Sequence, residues 1–436
     1  MTMLLLHISD IHFRAPECAQ DNDPNRAYRT RMVQDAKTRA RTLGGVDAVL
    51  VGGDIAFRGA PSEYAAAARW LEELARETGC PQERIFVVPG NHDVDRGRIS
   101  SSRQIQYIHK AIKDAAPNIR YRELQGLLAE PPLGRALFEP LEAYNEFAAR
   151  FNCQVYHERL AWKQDLVLEP GMTLRLHGLT STLLSGAVTH DGQDDKPQSL
   201  YLSPWQTALL DPDTNVVNLV MAHHPPDWLM DQDDVEDAVH GRAAIHLWGH
   251  KHRQRINKDE QYIRLAAGAV NPDAGEPSWH PAYNLIELSV NGTGLARELH
   301  LAVHMLEWQT NPERYRARQD SLGREVFTHV IRCPGEGHPV PSPPSAVSMP
   351  EAAVALAAHA SDVEAAMGEQ TTRNLVIRWW NLPMGARRDI ALRLKLISEE
   401  EIGLPEPERY ARALMRAKER NQLEQVAEEI DKWSTQ

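Results

Sequence analysis

Five short apolar runs, each about as long as a buried strand, constrain the fold of this chain most, because each leads into a polar cluster. The runs show little polar alternation, as expected of strands that are buried on both faces. They cover 4–8, 48–51, 85–88, 216–221 and 243–247, and they are followed by SDIH at 9–12, GGD at 52–54, GNHD at 90–93, AHHPP at 222–226 and GHKH at 249–252. Each cluster is therefore expected where a strand ends.

Two stretches with helical periodicity separate the first three runs. Residues 26–43 and 62–78 are rich in Ala, Arg, Glu and Leu, and their apolar residues recur at helical spacing. The order strand, helix, strand builds a layered α/β sheet, in which ligands collect beyond the carboxyl ends of the strands. All five clusters are thus expected to meet in one place.

The clusters supply ligands of the kind that bind divalent cations. Asp10 and His12 are two residues apart, so if the strand pairing continues as far as these residues, both side chains leave the same face and can bind one ion. The same spacing recurs at His250 and His252. Asp54 follows two glycines, and its carboxylate has two oxygens with which to bridge two cations. Carboxylate, imidazole and amide ligands suit Mn, Fe or Zn better than a soft metal that prefers thiolates.

Hydrolysis of a phosphate ester is the reaction that such a site supports. Two ions about 3.5 to 4 Å apart hold a hydroxide between them, direct it at phosphorus and neutralise the phosphoryl oxygens. The departing oxygen then needs a proton, and His92, next to the amide ligand Asn91, is the candidate acid. Asp93 is the candidate for the residue that orients the imidazole of His92.

These clusters, in this order, resemble the calcineurin-like metallophosphoesterase superfamily, whose pattern is D-x-H, G-D, G-N-H-D, a histidine at a strand end and G-H-x-H. The resemblance covers residues 1–332 and implies a four-layer α-β-β-α sandwich with two divalent metal ions. Mn is favoured, with Fe, Zn or Ni as alternatives. By this resemblance one ion is held by Asp10, His12 and His252, the other by Asn91, His223 and His250, with Asp54 between them and His92 as the acid. His223 is preferred to His224 because it stands two residues before a proline, as in the family pattern.

A basic segment follows the third cluster and is expected beside the metal ions. Between residues 96 and 122 it has seven Arg or Lys side chains against one acid, with two tyrosines among them. Such a segment favours a nucleotide or polynucleotide substrate, although the net charge of −12 argues against a generally basic surface. Candidate substrate contacts are Arg96, Arg98, Arg103 and His224. The alternative is a helix with a solvated, charged face.

Three further regions are expected from the composition. A helical insertion occupies about 95–165, a proline-rich linker 333–350, and a small all-α bundle 351–436. Residues 382–430 resemble the effector-associated adaptor domains of bacteria, which have a death-domain-like bundle. That resemblance implies docking to a protein partner with a like domain in conflict or antiviral systems. A helical oligomerisation module, and hence a homo-oligomer, is the alternative.

The function predicted from the sequence is that of a phosphodiesterase, and more specifically a nuclease that acts on DNA or RNA through a metal-bridged hydroxide. A cyclic-nucleotide phosphodiesterase is the alternative among enzymes. An adaptor or scaffold protein with a vestigial metal site is the alternative of another class. The four cysteines are scattered, and no signal peptide or membrane-length apolar run is found, so the sequence predicts a cytoplasmic protein without a membrane partner.

Overall fold

A computed structural model of the 436-residue chain describes residues 2–208, 215–271 and 280–333, together with 375, 378–379, 382, 384–397, 406–420 and 422–434. The chain divides into two compact units, 1–338 and 339–436. Apart from Cys333, the predicted linker at 333–350 lies outside the described residues.

Thirteen strands are found in the described part of the first unit. They are β1 (Thr2–Ile8), β2 (Ala48–Val51), β3 (Ile85–Val87), β4 (Ala161–Glu169), β5 (Met172–Leu179), β6 (Val216–Ala222), β7 (Ile245–Trp248), β8 (Arg255–Lys258), β9 (Ile263–Ala266), β10 (Ala282–Asn291), β11 (Glu298–Thr310), β12 (Glu313–Ala317) and β13 (Phe327–Arg332).

The α-helices lie between these strands and, in the second unit, after them. They are α1 (Arg26–Leu43), α2 (Pro61–Thr78), α3 (Arg96–Ser101), α4 (Arg103–Asp114), α5 (Pro117–Ala129), α6 (Pro131–Phe138), α7 (Glu142–Ala148), α8 (Pro204–Thr207), α9 (Gln232–His240), α10 (Met384–Arg393), α11 (Glu406–Glu419) and α12 (Leu423–Ser434).

The strands form two mixed sheets. The first has the order β12-β11-β10-β1-β2-β3, with β13 also paired to β11, and the second has the order β4-β5-β6-β7-β9-β8. Strands β1, β2 and β3 are parallel to one another, as are β5, β6, β7 and β9. The strands that precede the five polar clusters therefore belong to the parallel parts of the two sheets.

Helices pack on both sheets, and one continuous apolar core contains buried residues of both sheets. On the first sheet, Tyr28 of α1 meets Trp308 of β11 with ring centroids 5.4 Å apart. On the second, His240 of α9 stacks on Tyr262, which immediately precedes β9, at 4.4 Å. The four-layer sandwich predicted from the sequence is thereby confirmed.

The carbonyl of Val87 at the end of β3 joins the two sheets and the helical insertion. It accepts hydrogen bonds from Nε1 of Trp162 on β4, at 2.9 Å, and from the hydroxyl of Tyr144 on α7, at 3.1 Å. Both side chains are buried, so the bonds are shielded from water. Because Val87 lies just before the third polar cluster, this junction also fixes the position of that cluster.

The predicted elements agree closely with the observed ones. Helix α1 has the predicted bounds, and α2 begins at Pro61, a residue type that suits the first helical position. The strand expected at 243–247 starts only at Ile245, because Ala243 still donates its N–H to Val239 at the end of α9. Within the insertion expected at about 95–165, the helical part ends at 151 and residues 161–165 form part of β4.

The second unit has its own apolar core, as an all-α bundle requires. Trp379, Ile390, Tyr410 and Val426 are almost completely buried within it. The ring of Trp379 meets the ring of Tyr410 edge to face, with centroids 6.3 Å apart. Among the described helices of both units, none combines the length and the apolar character needed to cross a bilayer.

Gly178 of β5 lies directly against Trp162, which provides a test of the packing between β4 and β5. A Cβ atom at this position would be 2.0 Å from the indole. We therefore expect Gly178→Ala to lower the free energy of unfolding by about 1–3 kcal/mol, the usual cost of overpacking a core. Urea unfolding followed by circular dichroism measures this change.

The matched control is Gly126→Ala on the exposed face of α5, where an added Cβ meets no atom within 4 Å. This substitution should raise stability by about 0.5–1 kcal/mol, because alanine favours the helix. Equal stability changes in the two variants would contradict the packing described here.

Candidate metal centre

The five polar clusters meet at the carboxyl ends of β1, β2, β3, β6 and β7. Main-chain hydrogen bonds join the loops that carry them. Asp10 donates its N–H to Gly53 and His12 donates to Asp54, each at 3.0 Å, and Gly249 donates to His223 at 3.0 Å. The first two clusters and the last two are therefore held together independently of their side chains.

Left-handed backbone is concentrated at this centre. Ten non-glycine residues have a positive φ among those that the structure describes, and five of them are Asp10, His12, Asp54, His250 and His252, with φ between 50° and 66°. Such residues cost on the order of 1–3 kcal/mol each, and they persist where the surrounding structure imposes them, most often at functional sites. These five residues carry side chains whose ligand atoms lie close together in the centre.

The first group of ligand atoms is built around Asp10 and Asp54. Nε2 of His252 lies 3.2 Å from Oδ1 of Asp10, and Nε2 of His12 lies 3.2 Å from Oδ2 of Asp54. The ligand atoms of Asp10, His12 and His252 lie within 4.8 Å of one another, as do those of Asp10, Asp54 and His223. Asp54 thus belongs to both halves of the centre, the position expected for a bridging carboxylate.

The second group surrounds the amide oxygen of Asn91. Oδ1 lies 3.1 Å from Nε2 of His223, 3.2 Å from Nε2 of His224 and 3.0 Å from Nδ1 of His250. His223 also reaches Oδ2 of Asp54 at 3.3 Å. An amide oxygen has two lone pairs and cannot accept three N–H bonds in good geometry. The amide oxygen and the imidazole nitrogens therefore converge on one point. A cation at that point, rather than a proton, can accept electron pairs from all of them.

The double histidine is arranged differently from the expectation. His224, expected at the substrate, is completely buried, and its Nδ1 lies 2.9 Å from the hydroxyl of Ser181. His223, the expected ligand, has its Nδ1 2.8 Å from the carbonyl of Gly52. The carbonyl of Gly52 can only accept, so it fixes the tautomer of His223 that leaves Nε2 as a ligand, whereas the hydroxyl of Ser181 can accept from or donate to Nδ1 of His224. Both imidazoles of the pair thus point Nε2 toward Asn91, and Ser181 is a residue that the sequence did not indicate.

The electrostatics of the centre also suit a cation. Burial lowers the pKa of His224 well below its usual range and, together with His223, lowers that of His250 to about 3. Both imidazoles are neutral at pH 7, which is the form that binds metals. Burial opposes a charge on Asp54, yet the facing His223 and His92 hold the pKa of its carboxyl well below normal. Burial also acts to lower the pKa of His223, but the charge of Asp54 outweighs it and raises that pKa to about 9. The space between Asp54 and His223 therefore favours positive charge.

These residues fit two divalent metal ions. The ligands that would hold them are Asp10, His12, Asp54, Asn91, His223, His250 and His252, with His224 as a further imidazole in contact with Asn91. When bound, such ions neutralise charge on phosphoryl oxygens and make an attacking water more acidic. The donor set contains oxygen and nitrogen only, which excludes sites selective for thiolate-seeking metals.

His92 lies at the end of the centre formed by His12 and Asp54. Its main-chain N–H donates to Oδ1 of Asp54 at 2.8 Å, and its ring centroid is 4.9 Å from that of His12. Its Nδ1 is 2.9 Å from the carbonyl of Phe57, whose ring stacks on the imidazole at 4.8 Å. Gly90 allows this approach, since a Cβ there would lie 2.1 Å from Oδ1 of Asp54.

Asp93 does not take the role expected from the sequence. Instead of orienting the imidazole of His92, its carboxylate accepts main-chain N–H bonds from Ala56 at 2.9 Å and from Gly90 at 2.8 Å, and a hydroxyl bond from Tyr64 at 3.0 Å. Burial and the nearby charge of Asp54 raise the pKa of Asp93 to about 6. Asp93 therefore ties the second cluster to the third.

Glu63 is a second buried carboxylate, which was not among the site residues expected from the sequence. It accepts main-chain N–H bonds from Ala15, at 3.0 Å, and from three residues after the second cluster, Phe57, Arg58 and Ala60, at 2.9 to 3.2 Å. Glutamate at the third position of a helix that starts with proline is a known helix-start signal. That signal was visible in Pro61, Ser62 and Glu63, but it predicts only the bond to Ala60.

The three arginines expected to contact substrate are not drawn into the metal centre. Arg96 pairs with Asp194 at 3.0 Å and Arg98 pairs with Glu142 at 2.6 Å. Arg103 is exposed at the first position of α4. Because half-exposed ion pairs exchange readily with other anions, the first two remain candidates for binding phosphates. Further along the segment, Arg120 is buried and donates to main-chain carbonyls, so its role there is structural.

Comparison with known families gives two matches. Residues 3–254 match the family model of the calcineurin-like phosphoesterases, and residues 371–432 match that of the GTPase-associated adaptor domain. The first match contains all five clusters. No curated protein sequence matches the chain.

Solved structures that are similar to the chain include Vps29 from Chaetomium thermophilum, with 13% identity, a TM-score of 0.30 and coverage of 76% of this chain and 100% of that one. Another is a putative 5'-nucleotidase from Staphylococcus aureus, with 12% identity, a TM-score of 0.36 and coverage of 77% and 55%. A third is a purple acid phosphatase from yellow lupin, with 12% identity, a TM-score of 0.37 and coverage of 76% and 54%. At this level of similarity none of them indicates a substrate or a partner.

Asp54 lies between the two groups of ligand atoms, and this position predicts the effect of its substitution on metal binding. We expect Asp54→Asn to reduce the number of divalent ions per chain, because a carboxamide has one oxygen and no charge with which to link the two groups. Metal analysis of the purified protein after dialysis against Mn²⁺ measures this loss. Asp165→Asn, which changes a surface carboxylate paired with Arg175, serves as the control and should keep the parent metal content. Full metal loading of Asp54→Asn would contradict the bridging position.

Proposed function

The chain belongs to the calcineurin-like phosphoesterase family, whose members hydrolyse phosphate esters with divalent metal ions, and from this premise we propose that it is a phosphodiesterase that cleaves DNA or RNA. The geometry of His92 beside Asp54 is the observation that supports the catalytic part of the proposal most directly. A second observation, the partly exposed ring of Trp228 beside His250, supports the choice of substrate.

His92 supplies the proton in this proposal. Its Nδ1 faces the carbonyl of Phe57, so Nε2 is the nitrogen available to the substrate. In the protonated imidazole, Nε2–H transfers its proton to the leaving oxygen as the bond from phosphorus to that oxygen breaks. The neutral imidazole that results keeps its Nδ1–H on Phe57. The ring therefore does not need to turn during the reaction, which favours a fast proton transfer.

A partly exposed aromatic side chain beside the centre favours a substrate with bases. Trp228 meets His250 edge to face, with ring centroids 4.0 Å apart. Aromatic side chains of this kind bind nucleobases by stacking in proteins that hold single strands. The arginines Arg96, Arg98 and Arg103 follow the third cluster and supply positive charge for the phosphates between bases.

The second unit is proposed to bring the enzyme to a protein partner. Its match to an adaptor family and its own apolar core support a docking module, and the name of that family points to partners associated with GTPases. By analogy with effector-associated adaptors, the proposed setting is a bacterial conflict or antiviral system, in the cytoplasm.

The role of His92 predicts a loss of rate without a loss of metal. We expect His92→Ala to lower kcat on nucleic acid roughly 10²- to 10⁴-fold, the range that a positioned acid contributes. Metal content should equal that of the parent, since none of the seven expected ligands is changed, although His92 also groups with His12 and Asp54. The control is His190→Ala, which changes a fully exposed histidine. If His92→Ala cleaves nucleic acid at the parent rate, the proposed acid is wrong.

A panel of substrates tests the function itself. The full chain, loaded with Mn²⁺, is incubated with plasmid DNA, single-stranded DNA, RNA, cyclic nucleotides and bis(p-nitrophenyl) phosphate. We expect cleavage of at least one nucleic acid. Turnover of cyclic nucleotides alone would replace the nuclease by a cyclic-nucleotide phosphodiesterase, and a metal-loaded chain that cleaves none of these compounds would favour the adaptor with a vestigial site.

A further inference from the structure

We propose that Phe57 and Arg14 are positioning residues, which hold the imidazole of His92 in place for proton transfer and so allow the site to expel leaving groups that need a proton. This inference rests on the proposed role of His92 as the acid. Neither residue belongs to the metal-binding clusters, and neither was indicated by the sequence.

Phe57 holds His92 by two different contacts. Its ring lies on the face of the imidazole, with centroids 4.8 Å apart and planes inclined by 18°. Its carbonyl lies 2.9 Å from Nδ1 at the edge of the same ring. The first contact restrains the tilt of the imidazole, and the second restrains its rotation within the plane. Together they leave Nε2 in one direction.

The main chain of Phe57 is itself fixed. Its N–H lies 3.0 Å from the carbonyl of Phe13 and 3.2 Å from Oε2 of Glu63. Since Phe13 directly follows the metal-facing His12, the first two clusters share this anchor. The carbonyl that faces His92 is therefore held in register with the metal ligands.

Arg14, in the loop that follows β1, contacts the ring of Phe57. The central carbon of its guanidinium lies 3.6 Å from the centroid of the Phe57 ring. A cation over an aromatic face is attracted to the π electrons, and a planar guanidinium also packs flat against the ring. Arg14 therefore limits the rotation of the Phe57 side chain. The contacts form one chain from Arg14 through Phe57 to His92.

A histidine that acts in catalysis commonly has a carboxylate as its orienting partner, and here that partner is replaced. The nearest candidate by sequence, Asp93, is occupied by main-chain N–H groups and by the hydroxyl of Tyr64. The orienting role falls to the carbonyl and ring of Phe57. Orientation by an aromatic ring differs from orientation by a carboxylate in its response to substitution. Another aromatic ring can replace Phe57 in the stack, whereas an aliphatic side chain cannot.

The predicted consequence depends on the leaving group. When a nucleoside alcohol leaves, its oxygen takes the proton from Nε2 of His92 as the bond to phosphorus breaks. When p-nitrophenol leaves, it departs as a stable anion and needs no proton. A residue that acts through His92 should therefore matter for the first substrate and hardly for the second. A residue that only supports the fold or the metal ions should affect both alike.

The experiment compares Phe57→Leu and Arg14→Met with the parent full chain loaded with Mn²⁺. One substrate is a dinucleotide and the other is the p-nitrophenyl ester of the same nucleotide. We expect kcat on the dinucleotide to fall roughly ten- to hundredfold for Phe57→Leu and less for Arg14→Met, with KM little changed. On the p-nitrophenyl ester, kcat should change less than about threefold.

Conservative variants and a matched control accompany these changes. Phe57→Tyr keeps the ring and Arg14→Lys keeps the cation, so both should retain most of the parent rate on the dinucleotide. Arg150→Met changes an exposed arginine that pairs with Glu72, and it should match the parent on both substrates. Metal content is measured for every variant, because the Phe57 ring also meets His12 edge to face, with centroids 5.9 Å apart.

The outcomes separate this inference from the proposed function. Equal losses on both substrates, or unchanged rates on both, would overturn the positioning role. If the parent cleaves cyclic nucleotides instead of dinucleotides, the nuclease proposal fails, but the comparison still holds because cyclic nucleotides also release an alcohol oxygen. If His92→Ala shows no dependence on the leaving group, His92 is not the acid and the inference fails with it.

Discussion

The buried carboxylate of Asp54 is the interaction on which the rest of the centre depends. One oxygen accepts the N–H of His92, while the other faces His12 and His223. This one side chain therefore connects four of the five clusters, counting its own. A charge that is almost completely buried is tolerated only where opposite charge compensates it. The imidazoles and the metal ions that they would hold supply that compensation. The residues that stabilise Asp54 in the fold are therefore the same residues that give it its chemical role.

Two further carboxylates, Glu63 and Asp93, organise the loops around Asp54 without belonging to the metal ligands. Both are buried and both accept main-chain N–H groups from the turn after β2. The strained backbone of Asp10, His12 and Asp54 needs such support, because left-handed residues relax when their surroundings allow it. Asp10 and Asp54 thus face the candidate metal site. Glu63 and Asp93 hold the loops in the shape that presents those two carboxylates.

The two units of the chain divide the work in a similar way. The described part of the first unit contains the candidate metal ligands and the candidate acid, whereas the second unit matches an adaptor family and has a core of its own. In the proposed function, the first unit cleaves nucleic acid and the second decides where that happens. A nuclease with an exposed basic face would act indiscriminately, and the net charge of −12 makes recruitment through a partner a reasonable alternative to direct attraction by DNA or RNA.

The sequence by itself determined the layered α/β fold and the meeting of five clusters, because strand periodicity and the end of each apolar run are local properties of the chain. Only the tertiary structure decided the partner of His92, which lies 35 residues away at Phe57, and the partner of Arg96, which lies 98 residues away at Asp194. It likewise turned His224 toward Asn91 and directed Asp93 to main-chain N–H groups. Such partners depend on how separate loops pack, and spacing along the chain does not encode that packing. The residue types that could hold metal were therefore readable from the sequence, whereas the groups that orient them became visible only in three dimensions.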